Sequence, residues 1–462
     1  MKSILSLSII SLSVLLSCKS SQVSNSSTDN KTISKNLSDN QLMDKVQSDA
    51  LKYFWDFAEP NSLLGRERYH EDNIYPDNDK HVVTTGGSGF GLMTLLVGVD
   101  RKFIPRKEAV KRLTHIADFL DKAERFHGAW PHWINGETGK VTPFGKKDNG
   151  GDLVETAFLV QGIICVREYF KDGNEEEKAL AAKMDKLWKG VEWNWYTKGG
   201  EKVLYWHWSP SYGWEMNFPL QGYNECLITY VLAASSPDYS IDSETYNKGW
   251  TRNGTYTTDR TKYGLPLYVK HNYAEEFGGP LFWSQYSYLG LDPRGLSDQY
   301  VKSYWNLNRN HVLIDYKYCV ENPLNYKGYS EKYWGLTAGY TRNKDGSVGY
   351  AAHQPMKEDL GVITPTAALS SMPYTPKESM EMLRFLYEEK PKFIGKAGPY
   401  DATSIHFDDW TTPRYLAIDQ GTIAPMIENH RTGLLWNLFM NAPEIRNGLK
   451  KIGFKSAEHK ID

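Results

Sequence analysis

Few cysteines, no cofactor fingerprint and almost no net charge bound the reading of this chain first. It has four cysteines in 462 residues. Beyond Cys18 only Cys165, Cys226 and Cys319 remain, an odd number that cannot all pair within one chain. Cys165 and Cys226 lie inside apolar helical patterns, so they are expected as buried free thiols with no disulfide framework. None of the cysteines has metal-ligand spacing, and none of the twelve histidines forms a His-x-x-x-His pair. No metal or cofactor is expected. There is no GxxxxGK[ST] loop and no dinucleotide fingerprint after a strand; Gly86-Gly87-Ser88-Gly89-Phe90-Gly91 is Gly-rich but has no strand before it. A formal charge of −2 argues against a nucleic-acid partner. Period-two alternation is scarce. A nucleophilic Ser or Cys with a His partner does not stand out.

The N-terminus reads as an export signal. Met1-Lys2 precedes an apolar run, Ile4 to Leu16, too short to span a bilayer, and the run ends in Leu15-Leu16-Ser17-Cys18. A small residue before that cysteine marks a bacterial lipoprotein signal, with Cys18 as the lipidated residue. Residues 19–40 are Ser/Asn/Lys/Asp-rich and read as a flexible tether. The expected layout is therefore 1–18 signal, 19–40 tether and 41–462 folded domain. It describes an exported, lipid-anchored protein of the periplasm or outer membrane, expected as a monomer.

From 41 onward the pattern is helical. Leu42, Val46, Ala50, Leu51, Phe54 and Phe57 share one face, closed by Pro60. Phe90 to Val99 makes a second helix after a glycine turn, and Pro105 opens a third. Residues 127–147 read as a loop or hairpin. Helices follow from 152 to about 170, 175 to 195 and 226 to 234. Further ones are expected at roughly 297–312, 330–338, 364–371, 376–389, 421–431 and 433–440. About twelve helices with no short exact repeat, separated by long Gly-, Trp- and Tyr-rich loops, suggest an all-α fold. Six helical hairpins in a toroid, an (α/α)6 barrel, satisfy that count. Functional residues would then gather at helix N-termini around one mouth.

The stretch Asp148 to Phe158 carries the strongest chemical signal. Asp148, Asp152 and Glu155 place three carboxylates within eight residues, at spacings of four and three. Gly150-Gly151 breaks the preceding element, and an apolar helical run follows. Asp152 and Glu155 share the face of the first turn. Crowded carboxylates push one another's pKa values apart, which suits acid/base work. The same Asp-x-x-Glu is also a capping box, with Asp152 at N-cap and Glu155 at N3; Asp148 is the acid that a capping box does not need. Glu225 stands at another helix start after Tyr223 and Asn224, where the helix dipole alone would favour an acid.

An aromatic content of 13% raises the question of where the rings go. Trp206-His207-Trp208 can stack on and hydrogen-bond to a sugar, or pack in the core. Trp283, Tyr286 and Trp334 share that ambiguity. Asp419 and Gln420 sit in an apolar run, and Arg431 follows Glu428 at a spacing that also makes a simple ion pair. Acids at helix starts, an aromatic loop face and an export signal together fit hydrolysis of a glycan by two carboxyl groups.

Several segments together resemble one family. They are Gly86 to Gly91, Asp148 to Ala157 and Gly222-Tyr223-Asn224-Glu225, then Gly279 to Ser287 and Leu291-Asp292-Pro293-Arg294-Gly295. Thr364 to Leu369, Ile418 to Gly421 and Ile427 to Gly433 complete the set. The chain from about 45 to 450 resembles the glucoamylase-like family of exported Bacteroidetes proteins, and within it the endo-β-1,2-glucanases of glycoside hydrolase family 144. The resemblance implies an (α/α)6 barrel and an anomer-inverting hydrolase of β-1,2-linked glucose. It implies that Asp148, Asp152 and Glu155 are needed for activity and that Glu225 is the proton donor. Some relatives release disaccharide from a chain end. A different glycosidase or lyase on the same barrel, and a non-catalytic glycan-binding lipoprotein, are the rival readings.

Overall fold

A computed structural model describes residues 37–75 and 80–461. The signal, Cys18 and most of the tether lie outside the described residues. The first helix begins two residues before the expected boundary at 41. Ser38 and Gln41 form a reciprocal capping box at its start, which fixes α1 as Asp39–Trp55.

Helices alternate between an inner and an outer ring. The outer members α1, α3 (Arg106–Lys122) and α5 (Glu175–Lys189) bury one stripe and expose charges on the other. The inner members α2 (Thr85–Asp100), α4 (Leu153–Phe170) and α6 (Leu227–Ser235) are apolar on almost every side. Their continuous hydrophobicity is what a helix surrounded by protein requires. The fourth outer segment is helical from Ser243 to Trp250, and its inner partner is a pair of 3-10 turns, Leu281–Ser284 and Tyr286–Tyr288. Then come α7 (Tyr304–Glu321, outer), α8 (Pro365–Leu369, inner), α9 (Pro376–Arg384, outer) and α10 (Ala417–Arg431, inner). The inner ring closes where α10 packs on α2. Gln285 joins the inner turns to α8 by donating to the Ala367 carbonyl at 2.9 Å. Six outer–inner pairs make the (α/α)6 barrel. Two last helices, α11 (Leu434–Asn441) and α12 (Pro443–Lys451), pack on α4 and α6 and close the base.

Two local expectations change. The glycine-rich stretch 86–91 is not a turn: it forms the first turns of α2, and contrary to expectation a short strand, Val82–Thr84, stands directly before it. Glycine there is unfavourable by about 1 kcal/mol per residue, but it lets helices touch. A Cβ on Gly89 would lie 2.2 Å from the Phe158 carbonyl oxygen, and one on Gly162 would lie 2.2 Å from the Gly89 carbonyl oxygen. The second change is at 330–338, where no helix forms. Gly335 sits at φ +116°, a conformation that ends any helix, and a hairpin of Ala338–Arg342 with Val348–Ala352 follows.

Polarity divides the two ends. At the base, Arg101 at the C-terminus of α2 makes two hydrogen bonds to Glu428, at 2.7 and 2.8 Å, and Arg431 donates to Asp44 and Gln47. These bonds place cations at helix C-termini, where the dipole favours them. The inner-helix N-termini all point to the other end, the mouth. Cys165, Cys226 and Cys319 are buried free thiols.

Candidate active site

Asp152 holds two jobs at once. Its Oδ1 accepts from the backbone N–H groups of Val154 and Glu155 at 3.0 and 2.9 Å, capping α4. Its Oδ2 accepts from His132 Nδ1 at 2.9 Å. Both oxygens are therefore engaged by protein, and the side chain is fully buried. Asp148 lies beside it, with Oδ2 at 3.5 Å from His207 Nε2 and 3.9 Å from His132 Nδ1. Glu155 accepts from the Gly86 N–H at 2.8 Å and from Thr84 Oγ1 at 3.5 Å, both through Oε2. No described protein group donates to its Oε1. The cap and the cluster are thus the same structure, not alternatives.

His207 reaches the acids through a strand pair. Gly151–Asp152 runs antiparallel to His207–Trp208, with Asp152 opposite His207. His132 enters from the strand Trp133–Asn135 and its preceding turn, and stacks on Phe144 at 4.2 Å between ring centres.

Electrostatics separates the members. Burial pushes Asp148 up to about 7, and the Asp152 charge adds to it. Burial likewise pushes Glu155 up to about 7, with His132 opposing and Asp152 assisting. Burial also works against the Asp152 carboxylate, but the His132 hydrogen bond and charge outweigh it and hold that group below its ordinary value. For His132, burial favours the neutral ring; Glu155, Asp152 and Asp148 overcome it and lift the imidazole to about 9. Burial pulls the His207 imidazole below its ordinary value. One imidazolium thus serves three carboxyl groups. His132 Nδ1 and one oxygen each of Asp148 and Asp152 lie within 4.8 Å of one another. The hydrogen bond from His132 to Asp152 engages that nitrogen, an arrangement that suits proton handling.

Glu225 stands two residues before α6, partly buried. Its backbone carbonyl accepts from Ser287 Oγ, which ties it to the inner turns. Burial pushes its carboxyl up to about 7, against the pull of its own N–H, and the Glu155 charge adds to the rise. A carboxyl raised toward neutral pH is matched to proton donation.

A cavity of about 540 Å³ opens over the cluster. Glu155, His132, Phe144, Tyr286, Tyr340 and Tyr350 line it. Tyr286 also donates to Asp419 Oδ1 at 3.4 Å. Asp419 and Asp401 form a second, fully enclosed carboxyl pair. Burial raises both, to about 6 for Asp401, and the Asp401 charge raises Asp419 further. Asp401 Oδ2 accepts from the Tyr340 N–H at 2.6 Å, fixing the hairpin beside the cavity.

Other expected sugar contacts lie elsewhere. Tyr223 is fully buried and bonds Tyr288 and Asn308 within the core. Trp334 is fully buried and donates to the Glu378 carbonyl. Gln420 donates to the Ala397 carbonyl. Arg431 is at the base, tied to Asp44, and Glu428 pairs with Arg101 instead of with it. Trp283 is 9% exposed and lies parallel to the buried His271 ring. Trp206 stacks on His207, and Trp208 meets Trp195 edge-on. Asn224 caps the Cys226 N–H and borders a separate cleft. His132, Thr84, Asp401 and Tyr350 were not anticipated; their roles depend on contacts across the chain that no local spacing encodes.

Comparison with known proteins supplies the relatives. The Glycoamylase family model matches residues 217–443. An endo-β-1,2-glucanase from Chitinophaga pinensis, solved with sophorotriose and glucose, is 57% identical. It superposes with a TM-score of 0.88 over 91% of this chain and 99% of that one. A β-1,2-glucanase structure from Parabacteroides distasonis is 42% identical, with a TM-score of 0.84 over 90% of this chain and 60% of that chain. A curated relative from the same organism, an exo β-1,2-glucooligosaccharide sophorohydrolase acting at the non-reducing end, is 44% identical over 93% of this chain. The chain spans 60% of that relative's length.

Proposed function

The chain belongs to the glucoamylase-like glycoside hydrolase family that includes the Bacteroidetes β-1,2-glucanases, and on that premise we propose that it hydrolyses β-1,2-glucan with inversion at the anomeric carbon. The observation that carries the reading is the buried cluster of Asp148, Asp152 and Glu155 around His132 beneath a cavity at the mouth, with Glu225 near enough for the Glu155 charge to act on it. Glu225 protonates the leaving glycosidic oxygen. Glu155 takes the proton of the attacking water through Oε1, the oxygen that faces no protein donor. Its pKa of about 7 suits a base working at neutral pH. Asp152 has no free oxygen to offer, so it is a positioning residue that caps α4 and holds His132 charged. Asp148 completes the negative pocket in which an oxocarbenium-like transition state gains stability. Tyr350 offers its ring and hydroxyl to the sugar, and Tyr286 forms part of the cavity wall.

The proposal includes location. Leu15-Leu16-Ser17-Cys18 and the polar residues after it support export and lipid anchoring at Cys18, in the periplasm or at the outer membrane, with the protein acting as a monomer. The chain enters the fold at the N-terminus of α1, beside the base where Arg431 meets Asp44.

The test is incubation of the purified protein with linear β-1,2-glucan and sizing of the products. Short β-1,2-glucooligosaccharides of several lengths support the reading; an untouched polymer overturns it. Release of sophorose alone would favour a second reading, end-wise cleavage, which the activity of the curated Parabacteroides relative motivates.

A further inference from the structure

The helix that follows Glu225 has no cap of its own. Cys226 stands at the N-cap of α6, and its side chain makes no cap bond. An N-cap oxygen normally meets the N–H of the second or third helical residue. In α6 the second residue is Ile228, and its N–H donates to Ser287 Oγ at 3.0 Å. The same hydroxyl donates to the Glu225 carbonyl oxygen. Ser287 is fully buried, on the inner turn Tyr286–Tyr288 of the next helical pair. One hydroxyl from a neighbouring element thus bridges Glu225 and the first turn of α6, using its single proton and a lone pair.

Glu155 treats α2 in the same way. The Thr84 N-cap makes no side-chain cap bond, and Glu155 accepts the N–H of the second helical residue, Gly86, from its place on α4. The turn that carries Ser287 is itself tied down. Gln161, further along α4 than Glu155, donates to the Tyr286 carbonyl at 3.0 Å and accepts from the Gly290 N–H at 2.6 Å. The Tyr288 hydroxyl shares a hydrogen bond with that of Tyr223 at 2.7 Å, and Trp436 Nε1 donates to the Tyr288 carbonyl at 2.8 Å. The Glu225 carboxyl, by contrast, has only its own N–H as a donor among the described residues. Its place is set through its main chain. A continuous path therefore runs from Glu155 along α4 to Gln161, through the Tyr286–Tyr288 turn to Ser287, and on to the Glu225 carbonyl.

We propose that Ser287 is a positioning residue for the proton donor, holding the Glu225 backbone in place against the helix that carries Glu155. The proposal rests on the reading of Glu225 as the acid and Glu155 as the base. An inverting pair works only at a separation that admits a water, and a displacement of about 1 Å can cost about a hundredfold in rate. Without the hydroxyl, the Ile228 N–H and the Glu225 carbonyl lose their common partner, and the turn that carries the acid is no longer tied to α4. Ser287 is fully buried and does not line the cavity, so its loss should fall on turnover and not on binding.

The experiment is a double-mutant cycle on the full chain: the unaltered protein, Ser287→Ala, Glu225→Gln and the two changes together. Each is assayed on linear β-1,2-glucan well below the melting temperature of the least stable variant. Ser287→Ala should lower kcat by roughly tenfold to a hundredfold and leave KM within about twofold. In the Glu225→Gln background the same change should cost little, because the group it positions no longer has a proton to give. Ser287→Cys keeps the volume with a weaker donor. It should fall between serine and alanine, and it takes the place of the alanine variant if that one does not fold. An equal loss in both backgrounds would make Ser287 a general support of the fold and overturn the proposal. Full kcat in the Ser287 variants would overturn it too; in either case Glu225 stands as the acid. Full turnover by Glu225→Gln would instead remove the acid, and the proposal with it.

Discussion

Replacing His132 by glutamine removes the one cation in the acid cluster while keeping a neutral donor for Asp152. Lifting the imidazole from 6.5 to about 9 corresponds to about 3 kcal/mol of interaction favouring the charged ring. The side chain is 20% exposed, so solvent screens little of it. The pKa is higher folded than unfolded. This contribution is therefore fully present below pH 6.5 and is lost as pH rises through about 9. Urea unfolding of both proteins at pH 6 and pH 10 tests the sign. The wild type should exceed His132→Gln by about 3 kcal/mol at pH 6, and most of that margin should be gone at pH 10. Activity gives a second readout. His132 lowers the pKa of both Asp148 and Glu155, so its loss should move the acidic limb of the rate profile to higher pH. A stability difference that does not change with pH, together with an unmoved acidic limb, would refute the assignment of the cluster's charge to His132.

Other outcomes follow from the same geometry. Glu225→Gln should lower turnover of glucan by about 10²–10⁴-fold while the substrate still binds, and the fall in rate above pH 7 should vanish from what activity remains; unchanged turnover would remove Glu225 from the reaction. Asp152→Asn should keep the α4 cap but release His132, so activity should fall steeply, by about a hundredfold or more. A loss of only about 1 kcal/mol in stability with activity intact would mean that Asp152 is a cap and nothing else. Cys18→Ser should move the protein from the membrane fraction to the soluble fraction on cell fractionation, and continued membrane association would contradict lipid anchoring.

Much of the barrel is legible in the chain because inner helices are apolar on every side and outer ones on a single stripe. Leu153 to Phe170 and Arg106 to Lys122 show the two patterns plainly. The acids at 148, 152 and 155 are legible for a related reason. A glycine pair followed by a cap signal marks a helix start, and in an (α/α)6 barrel inner-helix starts meet at one mouth. What escapes is whatever depends on pairing across the chain. His207 meets Asp152 only because two-residue strands pair there, and His132 arrives on a strand from another loop. Asp401 is paired with Asp419 through a loop with no pattern of its own. The misplaced contacts have a physical reason too. Arg431 lies at the C-terminal end of an inner helix, which the barrel puts at the base, and Trp334 and Tyr223 are large rings that local sequence does not distinguish from exposed platforms. The glycines of α2 read as a turn because close helix contact, the condition that favours them, is a tertiary fact.

The most direct test of the central claim is the anomeric form of the first product. Linear β-1,2-glucan is digested in an NMR tube, and the new reducing ends are observed before they mutarotate. Water delivered by Glu155 against a glycosidic oxygen protonated by Glu225 predicts α-configured reducing ends. A β-configured first product, or no product at all, would contradict the account.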